Sequence, residues 1–524
     1  MPTNYRKDCV FVYLASITER VGIPFGTAYP SRTSYVCCES QATPRAVPSP
    51  TMRIGQTSFV VFASKLLGSA LGFVATLYFA RTLGAAVLGQ YALVLAIVAW
   101  LSLAGNLGIS GAITKRMSEG TDTPAYATAG ALVVAALGLA LGALVLLFDD
   151  AVNAYVGEPV APLVVALLLL GLFQSLTNSA LQGERKVHIT GLLTPVGIAV
   201  RSVIQIALVF VGLELVGMIA GYAIANFLVA VVGLALLSVG VARPTREHFE
   251  SLYEYAKFSW IGGLQSRSFN DVDVLLLGVF VQSSLVGVYS AAWSIAKFLT
   301  LFDSAVSSTL FPELSRADAE GNRESVAGLV EDSLTYGGLI LIPGLFGGFL
   351  LGERLLRIYG PEFVQGAAVL WILILATLLY GYQKQLLNAL NGIDRPRVAF
   401  RINAAFIAAN VVLNVALISA LGVVGAALAT AASAALGVVL AVSALRSEVH
   451  FTIPYGEIAR QFVAAVAMAA AVVGFETLLE TATSLNHNFA TVVLLVAVGA
   501  TVYFLSLFGL SAQFRATVIE NSPL

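Results

Sequence analysis

The chain has 524 residues, 58% of them hydrophobic and only 11% charged, whereas soluble domains carry about 25% charged residues; a soluble fold of this size is disfavoured. The net charge of -1 says nothing about partners, because in a membrane protein what matters is where Lys and Arg sit relative to the spans. The three cysteines, Cys9, Cys37 and Cys38, all precede Met52, so the body of the chain has neither a disulfide framework nor a cysteine metal site.

Residues 1–51 are mixed polar and proline-bearing, with no apolar run beyond Val10–Ala15. They read as a disordered tail, with Met52-Arg53 as an alternative start just before the first span. From Thr57 the character changes to a helical hairpin: an apolar run from Phe59 to Ala80, a turn from Arg81 through Gly89, and a second run from Tyr91 to Ile113 ahead of Lys115-Arg116. Each run is long enough to cross a hydrocarbon core of about 30 Å. Ser58, Lys65, Ser69, Gly72 and Thr76 fall on one face of the first helix. A lysine at that depth costs roughly 2.5–3.5 kcal/mol, so this face should look into a bundle or an aqueous cavity.

Span-length windows then recur at 126–148, 160–182, 189–212, 215–239, 258–281, 285–311, 333–351, 364–389, 401–420, 422–445, 461–479 and 489–509, about fourteen helices in all. Alternate connections carry Lys115, Arg116, Arg185, Lys186, Arg243, Arg246, Lys257, Arg316, Arg323, Arg395, Arg397, Arg401, Arg446, Arg460 and Arg515; the opposite set carries only Arg81, Arg354 and Arg357. By the positive-inside rule the first set and both termini are cytoplasmic. The longest connection, Pro312 to Asp332, is a polar link too short to be a folded domain, and no Gly-x-x-x-x-Gly-Lys-Ser/Thr nucleotide loop is present. Transport ATPases need that nucleotide loop, and membrane enzymes of glycan assembly usually need a sizeable loop or domain carrying acids, so both classes are disfavoured.

An internal repeat organises the spans. Val87-Leu88-Gly89-Gln90-Tyr91-Ala92 resembles Leu285-Val286-Gly287-Val288-Tyr289-Ser290, and Phe173-Gln174 with Ala180-Leu181-Gln182-Gly183 resembles Tyr382-Gln383 with Ala389-Leu390-Asn391-Gly392. The expected architecture is an all-α membrane protein of two six-helix lobes, related by a pseudo-two-fold axis along the membrane normal, plus two helices. Its segments are a tail (1–52), an N-lobe (53–241), a linker (242–257), a C-lobe (258–445), the extra helices (446–510) and a cytoplasmic tail (511–524). Substrate is expected between the lobes, near the midplane.

Charges inside the spans point to that substrate. Arg201 and Gln205 share a face with Thr194, Gly197 and Gly212; Lys297 shares one with Ser290, Trp293, Ser294, Thr300, Ser304 and Ser308; Arg267, Asn270 and Asp271 lie within one turn. Most Ser, Thr and Gly here are ordinary helix-packing residues, and the Arg267–Asp271 pair reads either as a self-neutralised ion pair or as a ligand site. Lys65, Arg201 and Lys297 have no acid one turn away, which favours ligand contact. Asp273 and Asp303 lie off these faces. Cations converging on one cavity suit an anionic, phosphate-bearing substrate over a cationic drug.

These residues resemble the polysaccharide transporter, or oligosaccharide flippase, family of the multidrug/oligosaccharidyl-lipid/polysaccharide (MOP) exporter superfamily. The resemblance covers about 53–510 and rests on Phe79-Ala80-Arg81-Thr82-Leu83-Gly84 with Gly89-x-Tyr91, the Leu107-Gly108-Ile109 to Arg116 turn, Gly287-x-Tyr289-Ser290-Ala291-Ala292, and Asn388-Ala389-Leu390-Asn391-Gly392 before Arg395. It implies a flippase moving a polyprenyl phosphate- or pyrophosphate-linked oligosaccharide to the outer leaflet of the cell membrane by alternating access. Its partners would be that substrate, membrane lipids and glycan-assembly enzymes, with no cofactor, metal or nucleic acid. The cavity cations would be Lys65, Arg201, Arg267 and Lys297, with Asn270, Asp271, Gln205, Ser294, Gln174 and Asn178 as polar lining or coupling residues. The multidrug antiporter branch shares the fold, but many of its members use an acid in the first span, and residues 57–80 contain none.

Overall fold

The computed structural model describes residues 50–482 and 487–520, apart from the side chains of 50–67, 69, 258–259, 261–263, 265–266, 301, 303–305, 308, 480, 482 and 520. The tail reading for residues 1–49 and the side chains of Lys65, Asp303, Ser304 and Ser308 therefore lie outside the described residues. The chain divides at Gly55/Gln56, and the larger unit, Gln56–Leu524, carries the helical bundle.

Among the described residues every regular element is helical. Helix α1 (Pro50–Asn106) is followed by α2 (Ile109–Ser118), α3 (Thr123–Leu147), α4 (Asp149–Val156), α5 (Ala161–Gly183), α6 (Val187–Phe210) and α7 (Glu214–Ala235). Then come α8 (Arg246–Phe280), α9 (Ser283–Phe298), α10 (Thr300–Ala319), α11 (Arg323–Gly337) and α12 (Leu341–Arg357). A 3₁₀ turn (Pro361–Gly366) leads into α13 (Ala367–Gly392), and α14 (Pro396–Arg446), α15 (Tyr455–Ala482), α16 (Asn488–Leu510) and α17 (Ala512–Glu520) complete the chain. Prolines open α3, α5 and α14 in their first turns, where a missing N–H costs nothing.

Ten helical stretches among the described residues are long and apolar enough to cross a membrane. The expected fourteen is not reached for two reasons. Two pairs of windows run on as continuous stretches, Ala70–Asn106 and Pro396–Arg446, and the windows 258–281 and 285–311 are not among the ten. The latter two contain Arg267, Asp271, Asp273 and Lys297. Both long stretches are in fact two helices joined at one glycine that leaves helical geometry, Gly84 (φ 80, ψ 177) in α1 and Gly422 (φ 58, ψ -134) in α14. A side chain is disfavoured at such positive φ.

Other boundaries also move. The second apolar run breaks at Leu107 (φ 42) and Gly108 (φ 82), separating α1 from α2. Window 285–311 is split at Leu299 into α9 and α10. The linker 242–257 is already helical from Arg246, and the polar link from Pro312 to Asp332 is the end of α10 and the start of α11, with only a tight turn between them.

In packing, α5 lies against α7 and α3, α6 against α7, α13 against α14, and α15 against α16, while α8 packs on α14. The central core buries Tyr289, Tyr359, Phe363 and Phe406. Phe269 of α8 stacks on Tyr380 of α13 with ring centroids 3.6 Å apart. Large apolar side chains on the outside, such as Phe210 and Leu147 at 82% and 75% exposure, are what a lipid-facing surface requires.

At one end of the bundle two turns meet without side chains. A Cβ on Gly89 would fall 1.8 Å from Ser283 O, and one on Gly287 would fall 1.9 Å from Ala85 O. These two glycines occupy matching places in the repeat. Beside them, Ala85 N–H donates to Glu362 Oε1 (2.8 Å) and Arg81 Nε–H donates to Ile358 O (2.7 Å).

Candidate functional site

The helices line two adjoining cavities. The first, about 380 Å³, lies among α5, α6 and α7 and is lined by Gln174, Asn178, Thr194, Arg201, Tyr222 and Asn226, among others. The second, about 550 Å³, extends toward α1, α2 and α8, where its walls include Asn106, Ser110, Ser175, Trp260, Arg267 and Asp271. Gly171, Gln174, Ser175, Tyr222 and Asn226 border both.

Arg201 is the centre of the smaller cavity. Its guanidinium lies 4.5 Å from the centroid of Tyr222, and it packs beside Gly72 of α1, where a Cβ would stand in ordinary contact with Arg201 Nη2 at 3.9 Å. No carboxylate pairs with it among the described residues. The aromatic face contributes about 0.5–2 kcal/mol, which does not neutralise the charge. Gln205, expected on the same polar stripe, does not line either cavity. It is 3% exposed, and its Nε2 donates to Met218 O (2.6 Å) and Tyr91 OH (2.8 Å), tying α6 to α7 and α1.

In the larger cavity Arg267 Nη1 donates to Asp271 Oδ2 at 3.1 Å, with side-chain exposures of 43% and 19%. The pair is thus both internally neutralised and placed on the cavity wall. Opposite, Asn106 Nδ2 donates to Ser110 Oγ (2.6 Å) and Ser175 Oγ (3.2 Å), while Asn106 Oδ1 accepts from Ser110 N–H (2.9 Å). This network forms where the Leu107-Gly108 break turns the chain from α1 into α2.

The remaining candidates lie elsewhere. Lys297 borders neither cavity; its Nζ stands 5.1 Å from the Trp293 ring, with no ion-pair partner among the described residues. Ser294 Oγ bonds Ala291 O and Tyr359 OH and serves packing. Asn270 also borders neither cavity, and its backbone carbonyl accepts from Trp293 Nε1 (3.2 Å). Residues that sequence reasoning did not single out are Tyr222, Asn226, Ser175 and Trp260. Asn226, a lone amide inside the apolar window 215–239, was the available signal.

Asp273, which lies off the polar faces in sequence, is buried at 2% exposure. It accepts from Asn414 Nδ2 (2.8 Å), Thr430 Oγ1 (2.6 Å) and Tyr289 OH (2.5 Å), joining α8, α9 and α14. Among the described residues no three His, Cys, Asp or Glu side chains converge where a metal ion could be held.

Residues 54–318 match the family described as polysaccharide biosynthesis protein, and residues 265–416 match the MatE family. The probable flippase AglR of Haloferax volcanii is 32% identical over 480 residues, spanning 89% of this chain and 98% of its own. The probable low-salt glycan biosynthesis flippase Agl15 of the same organism is 29% identical, over 82% and 91%. Among solved structures, the lipid II flippase MurJ in an inward closed conformation aligns with a TM-score of 0.72 at 16% identity, over 88% of this chain and 100% of that one. With the helical membrane architecture and its polar cavities, these matches place the chain in the polysaccharide biosynthesis protein family of the MOP superfamily.

Proposed function

We propose that this protein is a flippase that carries an oligosaccharide linked to a polyprenyl phosphate or pyrophosphate from the cytoplasmic to the outer leaflet, for assembly of a surface glycan. The observation that carries this reading is Arg201, a cation without a carboxylate partner on the wall of a polar cavity between membrane helices. In a low-dielectric setting an uncompensated guanidinium attracts an anion and repels a cationic drug. The amides and hydroxyls around it suit a hydroxyl-rich head group. The family and the flippase relatives support the same reading, and a transporter needs no reaction centre.

Alternating access requires a cavity that can be closed from one side, and we assign that role to the close contact at Gly89 and Gly287. We assign that end to the outer face, both termini to the cytoplasm, and the helices to two repeat-related lobes that rock about the cavity. Glycan-assembly enzymes on the cytoplasmic side would supply the substrate.

Reconstitution of the full chain in vesicles bearing a short-chain isoprenyl-pyrophosphate-linked sugar tests this reading. Protein-dependent loss of the outward-accessible label is expected, with initial rates down about tenfold or more in Arg201→Ala at equal folded yield and partly retained in Arg201→Lys. Translocation no faster than in empty vesicles, or efflux of a cationic dye instead, would refute it.

A further inference from the structure

We infer that the two cavities divide one substrate between them, an anion subsite at Arg201 and a neutral saccharide subsite bounded by Trp260, Arg267–Asp271 and the Asn106–Ser110–Ser175 network. The inference rests on the flippase reading and adds to it where each part of the head group sits.

The argument starts from charge. Arg201 and Arg267 are both cations at cavity walls, but their surroundings differ. Around Arg201 the lining offers amides, the hydroxyls of Ser175, Ser179 and Thr194 and the Tyr222 ring, and no carboxylate pairs with it among the described residues. A phosphate or pyrophosphate entering there meets an uncompensated positive charge with paired N–H donors. Arg267 already donates to Asp271 at 3.1 Å. An anion approaching Arg267 must displace or confront the Asp271 carboxylate, so that end of the cavity holds a negative group less well than Arg201 does.

What the larger cavity offers instead is matched donors and acceptors. The ion pair presents N–H groups and carboxylate oxygens side by side, which is the complement of adjacent sugar hydroxyls. Asn106, Ser110 and Ser175 add a neutral, mutually hydrogen-bonded wall on α1, α2 and α5. Trp260 supplies an aromatic surface at the same space, suited to the C–H faces of a pyranose. Its volume, about 550 Å³ against about 380 Å³ at Arg201, is in the range of small-molecule sites, with the larger space on the glycan side. Gln174, Tyr222 and Asn226, common to both walls, mark the junction where the glycosyl phosphate bond would lie.

The experiment uses the full chain in lipid nanodiscs with inorganic pyrophosphate as the probe, measured by calorimetry, alongside the vesicle translocation assay. Arg201→Ala should weaken pyrophosphate about 10- to 100-fold, the range for losing a charged hydrogen-bonding partner. Asp271→Asn, which frees the Arg267 charge, should add to pyrophosphate binding, as a tighter or second site that persists in the Arg201→Ala background. Trp260→Ala should leave pyrophosphate affinity unmoved while raising the substrate concentration needed for half-maximal translocation. Should Arg201→Ala fold poorly, Arg201→Gln serves in its place, and the Asp271→Asn arm stands independently. No gain of pyrophosphate binding in Asp271→Asn, an unchanged affinity in Arg201→Ala, or no pyrophosphate binding to wild type would overturn the partition. Wild-type protein that binds pyrophosphate through Arg201 yet moves no lipid-linked sugar would instead overturn the flippase reading. Normal translocation without Arg201-dependent binding would remove the partition alone.

Discussion

Asp273 sits in the core with three neutral donors around it and no ion pair among the described residues. Truncating it strands Asn414, Thr430 and Tyr289 together, and each buried orphan costs about 1–3 kcal/mol. Asp273→Ala should therefore lower folded yield and melting temperature, and Asp273→Asn, which keeps an acceptor of the same shape, should lose less; equal melting temperatures would contradict this. Gln205 gives the complementary case: Gln205→Ala should cost about 1–2 kcal/mol of stability through its bonds to Met218 O and Tyr91, while Arg201→Ala spares the fold and stops translocation. Tyr91 and Tyr289 fall at matching repeat positions; Tyr91 accepts from Gln205 in the first half and Tyr289 donates to Asp273 in the second. At this scale the sequence singled out Arg201 and Arg267, which the structure places on cavity walls, because charge in an apolar run is conspicuous. It did not separate Arg201 from Gln205 or Lys297, since a shared stripe spans about 100° of helix face and a cavity occupies only part of it. Tyr222 and Trp260 were invisible for the opposite reason, an aromatic residue in a span being unremarkable.

Elements were legible where apolarity alone defines them. The windows 126–148, 160–182, 189–212 and 215–239 each coincide with one helix of the described structure, within a few residues. Breaks were not, because hydropathy averages over a turn and is blind to φ: Leu107, Gly108 and Leu299 interrupt helices inside apolar text, while α1 and α14 turn on Gly84 and Gly422. The glycine turns carry a direct prediction. A Cβ at either Gly89 or Gly287 would overlap the opposing backbone, so Gly287→Ala should push the turns apart. Cysteines at Ala85 and Ser283 should cross-link in the otherwise wild-type protein and fail to do so once Gly287→Ala is added. Retained cross-linking at the same rate would show that the closure yields without rupture.

For the molecule as a whole, the alternation of Lys and Arg between connections predicts orientation, which neither packing nor hydropathy fixes. A reporter fused after Arg515 should behave as cytoplasmic; an external signal would invert the assignment of every connection. Lobes and cavity together explain why the repeat matters, since Gly89 and Gly287 belong to equivalent turns and touch each other. That touch has a kinetic meaning. Backbone seated on backbone has no side chain to creep or repack, so the closure is either in register or absent, and packed interfaces of this kind switch instead of deforming. If the proposed gate is this contact, a transport cycle would wait on one discrete rupture, and the Glu362 and Arg81 hydrogen bonds beside it would break in the same event. Turnover would respond steeply to temperature and be nearly indifferent to the bulk of the sugar carried.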